Sequence, residues 1–178
     1  MTDKIDFNDT NIVKYYQIEE TDLLDEDFHC DIDEFTEYYS LLCLNDVRER
    51  IVHAYVIKIN DDVAGYVTLA MAHIRPDATK AIEAKGINEN VPALLISHLA
   101  VDETYQGHGV GTALLDFVFL YLIPNLKNRA GCRYVMLNPR DDEGVRQFYI
   151  NYGFDYYDNF KSDKNSDACL YDLKSLPN

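Results

Sequence analysis

The chain has 178 residues, of which 47% are apolar, 12% aromatic and 26% charged. This composition excludes a disordered, collagen-like or coiled-coil chain and predicts a single domain over residues 1–178. The longest stretches without a charge, such as Val63–Ile74, fall short of the roughly 20 apolar residues that span a bilayer. Residues Met1–Lys4 open no signal peptide, so we expect a cytoplasmic protein.

Acidic residues outnumber basic ones by 31 to 16, which gives a net charge of -15 at pH 7. Residues 1–62 hold 17 acids and 5 bases, so most of the excess lies in the N-terminal third. The negative field of these residues weakens contacts with phosphate backbones and attracts cationic molecules. Solubility alone is an equally good explanation of the acidic excess.

The four cysteines, at positions 30, 43, 132 and 169, contain no CxxC pair and show no metal-ligand spacing with the five histidines. Neither a metal site nor a disulfide framework is predicted. Each cysteine is expected to be a small buried hydrophobic residue.

The first half of the chain alternates between strand and helix patterns. Ile12–Ile18 is predicted to be a strand, and a helix is predicted from an N-cap at Asp33 to about Asn45. Ile51–Ile59 and Val63–His73 are β-branched and aromatic, and the turn residues Asn60, Asp61 and Asp62 between them predict a β-hairpin.

The second half continues the alternation. A short helix is predicted over Asp77–Lys85, a buried central strand over Leu94–Val101, and an amphipathic helix over Thr112–Leu126 whose end is obscured by Pro124. The remaining predicted elements are strands over Arg133–Leu137, Phe154–Tyr157 and Ala168–Leu173, and a helix over Asp142–Asn151 with Gly153 as its C-cap. The order predicts an α/β (α+β) domain with a mixed sheet and helices on both faces.

The segment from Gln106 to Thr112, with glycines at 107, 109 and 111, lies between a buried strand and a long helix. Glycines allow bare backbone to approach a ligand, and the N–H groups of a helix N-terminus can bind a pyrophosphate. The loop is not a Walker A motif, because no Lys-Ser/Thr pair follows, and it lacks the GxGxxG spacing. A tight turn without a ligand stays open as the alternative.

Two motifs together resemble the GNAT-type N-acetyltransferases. Leu99-Ala100-Val101 followed by Gln106-x-x-Gly109-x-Gly111 is similar to that family's acetyl-coenzyme A signature. Phe148-Tyr149-x-x-x-Gly153-Phe154 is similar to its second landmark, FYxxxGF. The resemblance implies a GNAT-like acyl-CoA N-acyltransferase fold, in which a mixed, largely antiparallel sheet is splayed in the middle.

The resemblance implies that acetyl-CoA is the acyl donor. Backbone groups of Leu99 and Val101 would hydrogen-bond the pantetheine arm, the loop amides would hold the pyrophosphate, and Gln106 would close the loop. Lys127, Arg129 and Arg146 are candidates for the 3′-phosphate, with solvated surface roles as the alternative. The expected donor-binding residues are Leu99, Ala100, Val101, Gln106, Gly107, His108, Gly109, Val110, Gly111 and Thr112.

Tyr149 occupies the tyrosine position of the second motif, where the resemblance implies that a phenol protonates the departing thiolate. A core tyrosine with a satisfied hydroxyl is the alternative. For the general base, the strand before the loop offers Ser97 and His98, which face opposite sides. The motif register matches Ser97 to the base-bearing side, and a bulge would reverse this assignment in favour of His98. A water ordered by Ser97 is therefore our first interpretation.

Two residues depart from the family pattern: Asp142 stands where Asn is common and Val145 stands where Ala is frequent. Both positions bear on fine contacts with the coenzyme rather than on the fold. His108 occupies a variable position of the pattern and is expected to be exposed.

The acceptor is the least determined part of the reaction. Phe28–Phe35 and Val91–Leu95 resemble the subgroup that includes tRNA-acetylating toxins, which predicts aminoacyl-tRNA as one alternative. The acidic N-terminal third instead favours a small or peptidic cationic amine, which is our main expectation. A non-catalytic CoA-binding module, a homodimer and an antitoxin partner stay open, and no membrane partner is expected. The acids that favour a cationic acceptor are Asp25, Glu26, Asp27, Asp31, Asp33, Glu34 and Glu37.

Overall fold

A computed structural model describes residues 5–20, 27–87, 89–158, 160 and 167–176. Its seven strands form one sheet in the order β1-β2-β3-β4-β5-β7-β6. The strands are β1 (Val13–Gln17), β2 (His53–Ile59), β3 (Asp62–Ile74), β4 (Val91–Val101), β5 (Tyr134–Leu137), β6 (Asp155–Tyr157) and β7 (Ala168–Asp172).

Strand β4 takes part in a parallel strand pair of the sheet. It pairs in parallel with β5 over Ala93–Leu95, whereas β1–β2, β2–β3, β5–β7 and β6–β7 are antiparallel. The prediction of a mixed, largely antiparallel sheet is confirmed. Beyond the pairs with β5, strand β4 continues to Val101, at the entrance to the glycine loop.

The helices are α1 (Asp33–Glu37), α2 (Cys43–Arg48), α3 (Lys80–Glu83), α4 (Val110–Phe117), α5 (Ile123–Lys127) and α6 (Glu143–Tyr152). A π-helical turn over Tyr38–Leu42 joins α1 to α2, and another over Val118–Leu122 joins α4 to α5. Short 3₁₀ turns cover Glu103–Tyr105 and Leu173–Ser175.

The chain packs into two compact units. Unit 1 comprises Met1–Ala70 and His98–Pro124, and unit 2 comprises Met71–Ser97 and Asn125–Asn178. Strands β3 and β4 contribute residues to both units, and each unit has its own buried core. The assignment of one domain to residues 1–178 stays a prediction.

The core of unit 1 is rich in aromatic rings. Tyr39 and Tyr66 stack with their ring centroids 5.0 Å apart, and Phe28 contacts both of them. Burial of Tyr66 is compatible with its hydroxyl because that group donates to the Phe35 carbonyl at 2.8 Å. This cluster fixes the helical segment 33–48 on the sheet strands of unit 1.

Unit 2 has an aliphatic core and an ion pair beside it. Ile74, Ile82 and Leu170 are buried with Tyr134. Both Arg133 nitrogens Nε and Nη2 donate to Asp172 at 2.7 Å, and Lys85 donates to the same carboxylate at 2.8 Å. Burial alone would raise the pKa of Asp172, but the hydrogen bonds from Arg133 and Lys85 hold it well below its usual value.

The predicted hairpin is confirmed. Asn60 and Asp61 have φ values of 52° and 71°, and β2 and β3 pair directly on either side of them. Two consecutive residues with positive φ are the signature of a type I′ turn, which matches the right-handed twist of the strands. Asparagine and aspartate tolerate this conformation better than other non-glycine residues.

The start of the first helix differs from the prediction. The N-cap is Ile32, which has no side-chain capping bond, and Asp33 is the first helical residue. The acids Asp33 and Glu34 stabilise the first turn through the helix dipole rather than through a capping hydrogen bond. The helical segment also continues past Asn45 to Arg48.

Helical structure continues past Pro124 to Lys127. Proline has no backbone N–H to donate to a helical hydrogen bond. The π-helical turn over Val118–Leu122 lies just before Pro124, and the hydrogen-bond spacing of the helix is changed in this turn. The stretch Val110–Lys127 is long and apolar enough to cross a membrane by length and composition. Leu114, Leu115 and Val118 within it are fully buried.

Gly65 on β3 allows the closest backbone approach in unit 1. A Cβ atom at this position would lie 2.8 Å from the Ala100 carbonyl oxygen on β4. It would also lie 3.1 Å from Leu114 Cδ1 and 3.2 Å from Val110 Cγ1, both on α4. The missing side chain therefore lets α4 pack against the backbone of the sheet.

We predict that Gly65→Ala lowers the free energy of unfolding by about 1–3 kcal/mol, because the new methyl group must displace backbone and the first turn of α4. Urea denaturation measures the change. Gly131→Ala is the matched control, since a Cβ there meets no heavy atom within 4 Å. Equal unfolding free energies for the two variants would contradict the proposed close packing.

Candidate active site

The glycine loop joins β4 to α4 within unit 1. Gly107 and Gly109 have φ values of 74° and 89°, a left-handed conformation that favours glycine, and Gly109 is the N-cap of α4. The first N–H groups of a helix have no partner within it, and the helix dipole adds positive potential there. The loop thus presents main-chain donors in the way that a diphosphate requires.

Side-chain hydrogen bonds hold the approach to this loop. Asp102, only 7% exposed, accepts from the Thr104 amide at 3.0 Å and from the Thr104 hydroxyl at 2.6 Å. Its second carboxylate oxygen accepts from the His29 amide at 3.0 Å. Sequence reasoning missed Asp102 and Thr104, although Asp-x-Thr after a strand is a turn signal that could have identified them.

Gln106 and His108 make bonds inside the loop. Gln106 Nε2 donates to the Val101 carbonyl at 3.3 Å, so that this side chain ties the loop to the end of β4. His108 Nδ1 donates to the Gln106 carbonyl at 2.8 Å. His108 is half-buried, more than the sequence-based expectation of an exposed residue.

The predicted donor-binding residues divide into two kinds. Gln106, Gly107, Gly109 and Thr112 are exposed, whereas Leu99, Val101, His108 and Gly111 are partly buried. Ala100 and Val110 have buried side chains, 5% and 1% exposed, that belong to the core of unit 1. Because these fractions include the main chain, the two residues offer little surface to a ligand.

The ring of Phe7 lies against Gly109. A Cβ at Gly109 would be 3.4 Å from Phe7 Cε2 and 3.8 Å from Cζ. Phe7 follows Asp6, whose carboxylate accepts from the Asn8 amide at 3.0 Å. Phe7 thus contacts the loop at Gly109, a contact with no sequence signal.

His98, on β4 in unit 1, has a defined environment. Its imidazole stacks on Tyr38 with the ring centroids 3.7 Å apart and meets the Phe35 ring edge-on at 5.2 Å. Its Nδ1 lies 3.1 Å from Thr68 Oγ1. Burial lowers the pKa of His98, and this effect exceeds the opposing influence of Asp46 and Glu34. Ser97 precedes it as a half-buried residue of unit 2.

Tyr149 belongs to unit 2 and lies on α6. It is 7% exposed and packs against Phe148 and Phe154, with ring centroids 5.0 Å and 5.7 Å away. Burial raises the pKa of its phenol well above the usual value near 10, with Cys169 adding to the effect. The hydroxyl therefore keeps its proton at neutral pH, as a general acid must.

Asp142 is the N-cap of the helix that carries Tyr149. Its carboxylate accepts from the Val145 amide at 2.9 Å, and this bond, together with Arg140, lowers the pKa of Asp142. The departure from Asn at this position therefore keeps a strong helix cap. Gly153 ends the helix with φ 115°, which confirms its predicted role as C-cap.

The acids and bases singled out in the sequence have different surroundings. Asp25 and Glu26 lie outside the described residues. Asp27 lines a cavity of about 430 Å³ in unit 1, together with Asp62, Asp102 and Glu103. In unit 2, Arg146 pairs with Asp141 at 3.2 Å and lies over the Tyr156 ring, while Lys127 and Arg129 are exposed.

Comparison with known proteins identifies the class of protein. Residues 50–156 match the model of the acetyltransferase (GNAT) domain, which covers more than half of the chain. The chain therefore belongs to the GNAT acetyltransferase family, whose acyl donor is acetyl-CoA.

Among characterised relatives, a tRNA-acetylating toxin of Mycobacterium tuberculosis (strain ATCC 25618 / H37Rv) is 28% identical over 93 residues. The match covers 52% of this chain and 55% of the relative, so it spans only about half the length of that protein.

Solved structures show the same fold. AtaT complexed with acetyl-methionyl-tRNAfMet superimposes with a TM-score of 0.77 at 20% identity, covering 92% of this chain and 96% of that one. A tyrosine-to-phenylalanine variant of KacT gives 0.77 at 21% identity, covering 92% and 96%. A structure described as a bacterial toxin gives 0.80 at 14% identity, covering 92% of each chain.

We predict that Gly109→Val weakens acetyl-CoA binding by about tenfold or more, because a β-branched residue is strained at positive φ by roughly 1–3 kcal/mol. Isothermal titration calorimetry measures the affinity. Gly131→Val, in open space, is the control. Wild-type affinity in the Gly109 variant would remove the loop from the donor site.

Proposed function

We propose that this protein is an acetyl-CoA-dependent N-acetyltransferase that acetylates the α-amino group of an aminoacyl-tRNA, as the toxin of a toxin–antitoxin pair. The observation that carries the proposal is the 93-residue match to a tRNA-acetylating toxin. The fold shared with AtaT and KacT agrees with it. Its substrate would be met in the cytoplasm, where we place the protein.

On the donor side, the exposed amides of Gly107 to Thr112 would hold the diphosphate of acetyl-CoA. The end of β4 would hydrogen-bond the pantetheine arm through Leu99 and Val101. Gln106 already donates to the Val101 carbonyl at 3.3 Å, so this oxygen is shared with the loop. Leu99 then becomes the more available of the two residues for the arm.

The chemistry is a single acyl transfer. The neutral amine of the acceptor attacks the thioester carbonyl, a C–N bond forms, and the C–S bond breaks. The amine loses one proton and the thiolate of coenzyme A gains one. We assign the second proton to Tyr149, because it occupies the tyrosine position of the FYxxxGF motif. A water ordered by Ser97 stays the first proposal for the group that receives the amine proton.

Charge is divided unequally between the units. Unit 1 holds 20 acidic and 5 basic residues, a net charge of -15, whereas unit 2 holds 11 of each. The net negative charge of the chain therefore comes entirely from unit 1, because the charges of unit 2 cancel. A polyanion such as tRNA would be repelled by unit 1 and tolerated by unit 2.

Unit 2 also contains a groove suited to phosphates. It has a volume of about 360 Å³ and is lined by Lys127, Arg133 and Lys174, with Cys132, Leu173 and Leu176 completing it. Lys127 and Lys174 are exposed, and the salt bridges found within the described ranges include neither of them. Arg133 is already paired with Asp172, which leaves Lys127 and Lys174 as the groove's cations for the phosphates of a nucleic acid strand.

A small cationic amine is the second candidate acceptor. The specific observation in its favour is the charge of -15 in unit 1, which attracts a polyamine or an aminoglycoside.

One reaction panel separates the candidates. The purified chain is incubated with [¹⁴C]acetyl-CoA and either mixed aminoacyl-tRNAs, polyamines, aminoglycosides or lysine peptides, and label transfer and free thiol are followed. We expect label on aminoacyl-tRNA and none on deacylated tRNA. The double variant Lys127→Glu/Lys174→Glu should lose about tenfold or more of this activity, and Lys80→Glu, also exposed in unit 2, should not. Label on polyamines alone would establish the second candidate instead.

We predict that Tyr149→Phe lowers kcat about 100-fold or more while the affinity for acetyl-CoA changes little, because only the proton of the phenol is removed. Single-turnover kinetics and calorimetry give the two quantities. Tyr152→Phe, on the same helix, is the matched control and should retain activity. An unchanged kcat in the Tyr149 variant would exclude this residue as the acid.

A further inference from the structure

Two exposed glycines are the most adaptable part of the glycine loop. Gln106 ties the start of the loop to the Val101 carbonyl at 3.3 Å, and Val110, 1% exposed, fixes its end in the core of unit 1. Between these two points, Gly107 and Gly109 are exposed and have φ values of 74° and 89°. Glycine has wide conformational freedom at positive φ, so contacts from outside the loop decide how well its amides stay aligned.

Phe7 faces Gly109 on the side where any other residue would carry its Cβ atom. A Cβ atom at Gly109 would lie 3.4 Å from Phe7 Cε2 and 3.8 Å from Cζ, which is ordinary van der Waals contact. Gly109 nevertheless remains exposed, and Phe7 is partly buried. The ring therefore closes one side of this glycine and leaves the rest of it open to solvent.

The segment that carries Phe7 is anchored to the sheet of unit 1. The Asp9 amide donates to the Asp6 carbonyl at 3.1 Å, and the Val13 amide donates to the Asp9 carbonyl at 2.8 Å. The Asp6 carboxylate accepts from the Asn8 amide at 3.0 Å, which braces the first of these turns. Val13 then begins β1, which pairs with β2. The position of the Phe7 ring is thus set by the sheet and not by the glycine loop.

We infer that Phe7 is a positioning residue of the acetyl-CoA site, which holds Gly109 in the conformation that directs the loop amides at the diphosphate. The inference rests on the donor site proposed above and adds to it a residue that lies far from both family motifs in the sequence. Phe7 acts through Gly109, so its effect falls on the affinity for the donor and not on the rate of acyl transfer.

The physical basis is pre-organisation of the loop. A diphosphate is bound by several main-chain N–H groups at once, and binding is tightest when the free loop already has the bound conformation. A loop that adopts this conformation for only part of the time lowers the apparent affinity by the same fraction. The Phe7 ring occupies the space into which the backbone at Gly109 would otherwise move, and it thereby raises the population of the competent loop.

Removal of the ring tests this role. We expect Phe7→Ala to bind acetyl-CoA about three- to tenfold more weakly in isothermal titration calorimetry. The affinity for S-acetylpantetheine, which has the same thioester but no diphosphate, should change by less than about twofold, and so should kcat at saturating acetyl-CoA. This split identifies an effect on the loop, because a general loss of structure would weaken the binding of both ligands.

Ile12→Ala is the matched control. It removes an apolar side chain from the same segment at a position that is 37% exposed, and it should bind acetyl-CoA as the wild type does. Phe7→Leu retains part of the apolar volume and should have an affinity between those of Phe7→Ala and the wild type. It also serves as the test variant if Phe7→Ala does not fold.

Three results would overturn the inference. An acetyl-CoA affinity of Phe7→Ala within about twofold of the wild type would show that the ring is dispensable. A higher affinity would show that the ring obstructs the donor. Equal losses of affinity for acetyl-CoA and S-acetylpantetheine would show that Phe7 supports the structure as a whole and not the diphosphate loop.

Failure of the proposed function gives a different pattern. If Gly109→Val binds acetyl-CoA with wild-type affinity, the loop is not the diphosphate site, and the role of Phe7 fails with it. If the wild type acetylates a polyamine and not aminoacyl-tRNA, only the proposed acceptor is wrong. The calorimetric results need no acceptor, so they still decide the role of Phe7 in that case.

Discussion

The close approach of β3 and β4 at Gly65 is the constraint on which the functional part of unit 1 depends. Because Gly65 has no side chain, the Ala100 carbonyl and the first turn of α4 can meet over bare backbone. The contact at Gly65 sets the position of the N-terminus of α4. The main-chain N–H groups at this N-terminus are the hydrogen-bond donors of the glycine loop. Asp102 and Gln106 then fix the short path between strand and helix. The site is thus a consequence of packing as much as of the loop's own glycines.

Sequence reasoning was most successful where one local signal decides the structure. The Asn60-Asp61 turn required no distant partner, and neither did the Gly153 terminus of α6. The prediction of an N-cap at Asp33 was wrong because several acids compete for one helix start and nothing local selects among them. The end predicted at Leu126 lies one residue from the observed end at Lys127, but no residue pattern predicted the π-helical turn over Val118–Leu122 before Pro124.

Only the parts of the candidate site whose residues lie close together in the sequence could be predicted. The motifs located the loop and Tyr149, because their residues are consecutive or nearly so. The environment of His98 depends on Thr68 and Asp46, which are 30 and 52 positions away in the sequence. Alternation along β4 predicts that Ser97 and His98 differ in direction, but it cannot say that His98 lies beside Thr68 and stacks on Tyr38. Long-range hydrogen bonds of this kind have no sequence period and require the fold.

The separation of charge bears on how a nucleic acid substrate could be handled. With about two phosphate contacts in the groove of unit 2, from Lys127 and Lys174, the logarithm of affinity would fall with the logarithm of salt concentration with a slope of roughly -1 to -2. That slope is modest compared with strongly basic nucleic-acid-binding proteins, and unit 1 would oppose further contacts through its charge of -15. Such an enzyme would gain little affinity from the tRNA backbone as a whole. Selection among acceptors would then depend on the aminoacyl end of the tRNA. The amine at that end is cationic, so the acidic residues of unit 1 would attract it while they repel the phosphate backbone.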